Sequence, residues 1–252
     1  MFSIFKKKVF LKDHLKDFTD IHNHILPGID DGAGNVEESV ELIREFRKMG
    51  VTNFIATPHI MNDYYPNTPE TIQQALNTLQ KELLETGLTE IKIRVAAEYM
   101  MDQSFLELLG QKKLLTLKDN LVLVEMSYFQ PPINLEEILF QLQTHGYKPV
   151  LAHPERYAFF HSKKLEKFVD LKNRGCYFQL NFLSLTGHYG DNIQKTAFRL
   201  LEENMIDFIG TDTHQLRHLD KLSMTKLSQK KIEQILPVIE RTRETFYQES
   251  GQ

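Results

Sequence analysis

Short apolar runs alternate along this chain with longer segments in which apolar residues recur every three or four positions. The short runs are rich in β-branched and aromatic residues, and this alternation is typical of strand and helix units around a parallel sheet. Seven runs are predicted strands: Phe18 to Ile25, Thr52 to Thr57, Ile91 to Ala96, Leu121 to Met126, Pro149 to Ala152, Cys176 to Leu180 and Asp207 to Gly210. Because each run is mostly apolar, we expect strands that are covered on both faces.

Helices are predicted between the strands, at Val36 to Met49, Thr68 to Leu84, Leu135 to Thr144, Leu165 to Arg174 and Ile193 to Met205. In the first of them the expected buried stripe consists of Val36, Val40, Ile43, Phe46 and Arg47. Glycine follows several of these segments, as is usual where helices end. A last helical segment is predicted from Lys230 to Gln248.

No linker rich in proline, glycine or serine divides the 252 residues, so we expect a single domain. Seven strand–helix units in one domain predict an α/β fold of the TIM-like type, a distorted seven-stranded (β/α)7 barrel. We place an N-terminal extension at residues 1–16 and a C-terminal helical segment, packed on the barrel, at residues 220–252.

The charge of the chain excludes general attraction to polyanions. It carries 34 acidic and 30 basic side chains, a formal net charge of −4, so nucleic acid is not an expected partner. The single cysteine, Cys176, rules out an intramolecular disulfide and favours a reducing compartment. The apolar run near Met1 is too short for a signal-peptide core, and no segment has the length of a membrane span. We therefore expect a cytoplasmic protein without membrane insertion.

Potential metal ligands stand at the ends of six of the seven predicted strands. They are His22 and His24, His59, Glu98, Glu125, His153, and Asp212 with His214. The C-terminal ends of barrel strands meet at one mouth, and His22 and His24 lie on one face of an extended segment. The other histidines, His14, His145, His161, His188 and His218, are expected to be surface or structural residues.

The ligand types indicate the kind of ion. Imidazole and carboxylate groups together suit zinc, manganese or iron, and the lack of thiolates argues against a structural zinc site. A carboxylate such as Glu98 can bridge two cations, so we expect two or three divalent ions. Asp30-Asp31-Gly32, in the first strand–helix loop, is either a simple turn or the source of a further ligand. Asp31 is slightly preferred over Asp30.

These residues resemble the polymerase-and-histidinol-phosphatase (PHP) domain family, whose members have a distorted seven-stranded barrel and a trinuclear metal site. The match covers His22, His24, the turn at Asp30 to Gly32, His59, Glu98, Glu125, His153, Asp212 and His214, in the family's order. Within it, the segment from Asp20 to Ala33, the run ending in His59, and His153-Pro154-Glu155-Arg156 look like bacterial tyrosine-protein phosphatases of the CpsB/YwqE type.

The resemblance implies a metal-dependent hydrolase of phosphotyrosine. The expected substrate is the tail of a bacterial tyrosine kinase that controls capsule or exopolysaccharide synthesis, and the expected metal is manganese. By position, one ion is implied at His22, His24, Glu98 and Asp212, a second at Glu98, Glu125 and His153, and a third at Asp31, His59 and His214. Arg156 matches a phosphate-binding arginine. Arg217 is the candidate for a second one, although its spacing from the Asp212-x-His214 element departs from the family pattern.

Three other readings remain open. The chain resembles phosphoesterases of the same family that act on histidinol phosphate or a nucleotide. It also shares the first His-x-His element with amidohydrolases and TatD-type nucleases, although these lack the terminal Asp-x-His. A metal-binding module without catalysis is the third reading. A cysteine nucleophile is not expected, because the residues around Cys176 are bulky where a phosphate-binding loop needs glycines and an arginine.

Overall fold

The computed structural model describes residues 8–111, 114–162 and 164–247. The first part of the predicted N-terminal extension, residues 1–7, and the end of the C-terminal segment, residues 248–252, lie outside the described residues. The described strands are β1 Lys8–Phe10, β2 Thr19–Asp20, β3 Asn53–Ala56, β4 His59–Ile60, β5 Lys92–Val95, β6 Glu98–Met100, β7 Leu121–Glu125, β8 Lys148–Ala152, β9 Tyr177–Asn181, β10 Phe208–Gly210 and β11 Lys226–Ser228.

The described α-helices lie between and after these strands along the chain. They are α1 Val36–Lys48, α2 Pro69–Glu85, α3 Gln103–Gln111, α4 Leu135–Thr144, α5 Glu166–Asn173, α6 Phe182–Leu185, α7 Asp191–Glu202, α8 Leu216–Met224 and α9 Gln229–Phe246. Five of the predicted helices match α1, α2, α4, α5 and α7 to within a few residues, and the predicted last helix matches α9. None of the helices in the described part of the chain is long and apolar enough to cross a membrane.

The strands form two parallel sheets and one antiparallel pair. The larger sheet has the order β10-β9-β8-β7-β6-β4, and the smaller one has the order β2-β3-β5. In the larger sheet Leu123 lies opposite Val150, and Leu151 lies opposite Phe178. β1 pairs with β11, which ties the N-terminal end of the described chain to the segment before α9.

The expected single closed sheet of seven strands is not found in the described residues. The predicted strand from Thr52 to Thr57 continues past its end, but Pro58 separates β3 from β4 and the two pieces belong to different sheets. Pro58 has no N–H group to continue a ladder, which explains the break. The first predicted strand, Phe18 to Ile25, is reduced to β2. Beyond β2 the contact with the β10 end is one parallel bridge, Asn23 to Thr213.

The predicted burial of the strands on both faces is confirmed. Leu123 and Val150 pack in an inner cluster with Ile21, and this cluster also receives Phe246 from α9. The alternate residues, such as Leu151, face the helices and join the larger apolar cluster. Strand side chains alternate between the two faces, so Glu125 continues the inner face that Leu123 occupies. The inner face of the sheet is thus apolar along the strands and carries the ligand candidates at the C-terminal ends of the strands.

Helix α1 shows how the sequence fixes an element. Asn35 is its N-cap and accepts a hydrogen bond from the Glu38 backbone N–H at 2.9 Å. Leu42 is buried on the inward face, whereas Arg47, which we expected in the buried stripe, is exposed and pairs with Glu90 at 2.5 Å. The inclusion of Arg47 was wrong because a charged guanidinium at the edge of the stripe is more stable in water.

Candidate metal centre

The nine side chains predicted as metal ligands converge at the C-terminal ends of the parallel strands. Their donor atoms fall into four overlapping groups, in each of which the atoms lie within 4.8 Å of one another. The groups are His24, Asp31, His59 and His214; His22, His24 and Asp212; His22, Glu98 and His153; and His59, Glu98 and Glu125. The overlap of these groups means that they form one continuous cluster rather than separate sites.

The grouping differs from the partition that the resemblance implies: His24 also joins Asp31, His59 and His214, and Glu98 does not group with His24 and Asp212. His153 groups with His22 and Glu98, and Glu125 groups with His59 and Glu98. Glu98 lies between His153 and His59: its Oε1 is 3.1 Å from His153 Nε2, and its Oε2 is 3.2 Å from His59 Nδ1. Its central place fits the expected role of a carboxylate shared between cations.

Polar groups behind the cluster orient the imidazoles. Gln179 places Oε1 2.7 Å from His22 Nδ1, and its own Nε2 donates to the Leu180 carbonyl at 2.6 Å. Since an amide oxygen only accepts, Nδ1 of His22 is the protonated nitrogen and Nε2 carries the free lone pair. His214 is held in the same way, with Nδ1 3.0 Å from the Asp212 carbonyl. Such contacts are typical of ligand histidines.

The structure separates the roles of the two neighbouring aspartates. The side chain of Asp30 is buried, and its carboxylate accepts from His24 Nδ1 at 2.8 Å and from the Gly32 backbone N–H at 2.9 Å. Asp31 instead points Oδ1 toward Nε2 of both His59 and His214, at 3.4 Å from each. Asp31 is therefore the aspartate whose carboxylate groups with His59 and His214, while Asp30 contacts the far side of His24.

Several donor atoms in the cluster are buried without a hydrogen-bond partner. They are His22 Nε2, His24 Nε2, His59 Nδ1, Glu98 Oε2 and Glu125 Oε1. They lie close to one another, for example His59 Nδ1 and Glu125 Oε1 at 2.9 Å, yet not in hydrogen-bonding geometry. Atoms that point toward a common centre show this pattern, and buried polar atoms are otherwise almost always bonded. The residues present therefore fit a divalent-cation centre.

The electrostatics of the cluster agree with this fit. Burial raises the pKa of the Glu98 carboxyl, but His22 and His59 outweigh burial and hold that pKa well below its usual value. Burial lowers the pKa of His59, but Glu125 and Glu98 raise it to about 9. The carboxylates thus favour positive charge at this position. A divalent cation supplies such charge and competes with protons for the same ligands.

Two of the predicted ligands have left-handed backbone conformations. His153 has φ of 35° and Asp212 has φ of 52°, values that residues other than glycine rarely adopt. His153 directly follows β8, and Asp212 comes two residues after the end of β10. Backbone strain of this kind persists only where the surrounding structure holds it in place, and it is often found at functional sites.

Arg156 lies at the edge of the cluster between two aromatic rings. Its Nη1 donates to Asp212 Oδ2 at 2.6 Å, and its guanidinium carbon is 4.5 Å from the Tyr128 ring centroid and 4.2 Å from that of Tyr189. Asn181 Nδ2 holds the same carboxylate oxygen at 2.8 Å. Arg156 also lines the cavity above the cluster, where its other N–H groups can meet an anion.

Arg217 does not reach this cavity. The chain enters helix α8 directly after His214, and the first turn of that helix turns His218 and Leu219 inward while Arg217 is exposed. Among the described residues that line the cavity, Arg156 is the arginine. The predicted pairing of Arg156 with Arg217 is therefore not supported by the structure.

The remaining predictions about single residues can be compared with their positions. Cys176 is buried at the start of the sixth predicted strand, and burial raises its pKa to about 12, so it is no nucleophile. His218 is buried and packs against His214 and His188, a structural position. His145 is exposed at the end of α4.

Sequence reasoning missed the residues that support the ligands. Gln179 and Asn181 lie on β9, the one predicted strand to which we had assigned no ligand. Their spacing of two places them on one strand face, and this was a usable signal that the strand contributes to the site. The role of Asp30 and the aromatic flanks of Arg156 depend on loop conformation and had no comparable signal.

The cluster forms the floor of a cavity of about 790 Å³ that opens to solvent. Its walls include Tyr65, whose ring stacks on His59 with centroids 5.5 Å apart, and Tyr128, whose hydroxyl is 3.3 Å from His153 Nε2. The lining also includes the exposed apolar residues Tyr64, Phe129 and Ile133 and the acidic residues Asp63 and Asp102. Ligands of small-molecule or side-chain size fit a cavity of this volume.

Comparison with known proteins identifies the family. Residues 18–235 match the family of capsular polysaccharide synthesis proteins CpsB/CapC. The chain is 34% identical over 204 residues to the tyrosine-protein phosphatase YwqE of Bacillus subtilis (strain 168), which covers 79% of this chain and 78% of that protein. It is 32% identical over 200 residues to the putative tyrosine-protein phosphatase CapC of Staphylococcus aureus, covering 78% and 77%.

A solved structure agrees with this match. A chain from the crystal structures of YwqE from Bacillus subtilis and CpsB from Streptococcus pneumoniae, described as unique metal-dependent tyrosine phosphatases, superimposes with a TM-score of 0.75. The sequence identity is 29%, and the alignment covers 90% of both chains. With its converging histidines and carboxylates and its match over most of its length, this chain belongs to the CpsB/CapC family.

Proposed function

We propose that this chain is a metal-dependent protein-tyrosine phosphatase. The observation that carries the proposal is the set of buried, unpartnered imidazole and carboxylate atoms that point into one centre at the floor of an open cavity. The relatives named tyrosine-protein phosphatases, and the solved structure described as metal-dependent, support the same activity.

We further propose that the centre binds three divalent ions, with manganese preferred over iron or zinc. The proposed ligands are His22, His24, Asp31, His59, Glu98, Glu125, His153, Asp212 and His214. Four overlapping donor groups support more than one ion. When bound, the ions neutralise phosphate charge and lower the pKa of a coordinated water.

The residues of the chain then hold the ester and the cations in place. Arg156 donates one N–H to Asp212. Its other N–H groups can donate charge-assisted hydrogen bonds to the phosphate oxygens. Gln179 and Asp30 keep His22 and His24 turned toward the centre. The leaving group is a phenolate, and because tyrosine has a pKa of about 10 a strong general acid is not required.

The broader context of the proposal follows from the family. We propose that the protein substrate is a phosphotyrosine-bearing bacterial tyrosine kinase, encountered in the cytoplasm; the family description, capsular polysaccharide synthesis, supports a role in that process. We also propose that the two parallel sheets together form a distorted seven-stranded PHP-type barrel as one domain. The Asn23 to Thr213 bridge and the Asp212 N–H donated to the His22 carbonyl at 2.7 Å support this closure.

The experiment that tests the function compares three substrates and several metals. The protein is stripped with a chelator, reloaded with Mn²⁺, Zn²⁺ or Fe²⁺, and offered p-nitrophenyl phosphate, a phosphotyrosine peptide and histidinol phosphate. We expect activity on the aryl esters that is lost on chelation and restored by manganese. His22→Ala should abolish it, while His145→Ala, an exposed histidine outside the cluster, should not. Efficient turnover of histidinol phosphate with little on phosphotyrosine would contradict the substrate assignment.

A further inference from the structure

The cavity has an apolar rim that the metal centre does not need. Phe129 is 94% exposed, Ile133 is 102% exposed and Tyr64 is 75% exposed, yet all three line the cavity. Exposed side chains of this size cost hydration free energy and, when grouped beside a cavity, mark a binding surface. Phe129 and Ile133 belong to the loop between Glu125 at the end of β7 and helix α4, which we call the rim loop, residues 127–133.

The rim loop separates two cavities. Pro131, Pro132 and Ile133 line the cavity above the metal centre and also a second groove of about 190 Å³ on the far side of the loop. The floor of this groove is apolar, with Leu139 and Phe160 among its residues. The groove is also lined by the charged residues Glu136, Lys167, Asp170 and Arg174, and Arg174 is paired with Glu136 at 2.9 Å and with Asp170 at 3.1 Å. The apolar floor of the groove therefore suits an apolar side chain.

The shape of phosphotyrosine brings a substrate to this rim. The phosphate is attached at the far end of the ring, so a phosphate at the metal centre leaves the peptide backbone one ring length higher. Tyr65 stacks on His59, and Tyr128 lies tilted beside His153 with ring centroids 5.6 Å apart, so both tyrosines stand on the walls at the level of the substrate's ring. The backbone and its neighbouring side chains then lie at the height of the exposed rim residues.

We propose that the rim loop and the groove behind it form a subsite for an apolar residue next to the phosphotyrosine of a peptide substrate. The subsite rests on the proposed phosphatase function and deepens it, because it explains how a protein substrate is preferred to a small ester. A peptide that crosses the loop buries Phe129 and Ile133 and places an apolar side chain in the groove. Small aryl phosphates end below the rim and gain nothing from it.

Charge at the mouth favours a peptide over an anionic lipid surface. Asp63 and Asp102 line the same cavity, and Arg156, the arginine among its described lining residues, already contacts Asp212. Exposed apolar residues that insert into membranes are usually accompanied by several lysines or arginines, which attract anionic lipids. The acidic mouth repels such a surface but does not repel an apolar peptide segment.

Steady-state kinetics with paired substrates test the subsite. The variant carries Phe129→Ser and Ile133→Ser; the control is Phe140→Ser, an apolar residue that is 62% exposed on α4 and lines neither cavity. The manganese-loaded proteins are assayed on p-nitrophenyl phosphate, on a phosphotyrosine peptide with leucine neighbours, and on the same peptide with glycine neighbours. We expect the double variant to lose about ten-fold in kcat/KM on the leucine peptide, through KM, as for truncation of an apolar contact.

The other outcomes are decisive as well. Activity on p-nitrophenyl phosphate and on the glycine peptide should stay within about two-fold of wild type, since no rim contact is lost there. An equal loss on all three substrates, or no loss on any, would overturn the subsite. Unchanged peptide kinetics together with loss of binding to phosphatidylserine vesicles would assign the rim to a membrane instead. A wild-type protein that hydrolyses no phosphate ester with manganese bound would refute the phosphatase function itself, and the subsite with it.

Discussion

The substitution Gly32→Ala tests whether close packing of the first loop holds the metal centre together. A Cβ on Gly32 would lie 2.5 Å from the Cβ of His24 and closer still to the His24 carbonyl oxygen. Both contacts are with the chain segment that carries a proposed ligand, and neither involves a flexible side chain. A glycine is thus required here because the backbone passes close to His24. From the sequence alone, Gly32 was expected only to be part of a turn.

The size of the effect follows from these distances. An ordinary carbon–carbon contact needs roughly 3.5 Å, so the loop must shift by about 1 Å to admit the methyl group. The Gly32 N–H donates to Asp30 Oδ1 and the Ala33 N–H donates to the His24 carbonyl, so a shift of Gly32 also moves Asp30 and Asp31. A displacement of about 1 Å at a reacting centre costs roughly 100-fold in rate. Overpacking of this kind destabilises by about 1–3 kcal/mol, or roughly 2–10 °C in Tm.

The assay combines three measurements on Gly32→Ala and on a control, Gly34→Ala. In the control the added Cβ meets only the Glu38 carboxylate, at 3.4 Å. Metal content, kcat/KM on p-nitrophenyl phosphate and Tm are compared. We expect the Gly32 variant to bind less manganese and to lose activity while the control keeps both. Equal metal content and equal activity in the two variants would refute the argument from close packing.

Three further substitutions follow from the site. Arg217→Ala should keep kcat/KM within about two-fold, whereas Arg156→Ala should lose roughly 100-fold, since only Arg156 lines the cavity; equal losses would restore Arg217 to the site. Gln179→Leu removes the acceptor at His22 Nδ1 and should weaken manganese binding about 10–100-fold in a titration, and Gln179→Glu, which keeps an acceptor, should weaken it less. Cys176→Ser should leave turnover largely intact, because the thiol is buried in the apolar cluster; complete loss in a folded variant would argue against metal-dependent hydrolysis.

The order of strands, helices and ligands could be predicted from the sequence because each depends on local pattern. Apolar runs located β3, β5, β7, β8, β9 and β10 to within about two residues, and the strand-end rule placed eight of the nine ligand candidates at one mouth, the ninth being Asp31 of the first loop. The histidines His145 and His218 also lie where a non-ligand role was expected. Pattern suffices here because a parallel sheet puts every strand end on the same side.

The division into two sheets could not be predicted, because it depends on how strands pair after Pro58 and after Ala96 rather than on which residues are apolar. The prediction of Arg217 as a second phosphate-binding arginine was not supported for a similar reason. Proximity in sequence to His214 suggested Arg217, but helix α8 begins at Leu216 and its first turn directs that side chain to solvent. Tyr128 and Tyr189 come together around Arg156 from loops far apart in the chain.

The composition of the ligand cluster also determines its overall charge. Four of the nine converging side chains are carboxylates, Asp31, Glu98, Glu125 and Asp212, while Asp30 and Arg156, which contact the ligands, add one charge of each sign. Three divalent cations, as proposed, would therefore leave the floor of the cavity with two positive charges. A phosphotyrosine carries close to two negative charges at neutral pH. The positive charge of the loaded floor therefore attracts the ester and is neutralised by it. Inorganic phosphate, the product, carries a similar charge and is attracted in the same way, so its release is slowed.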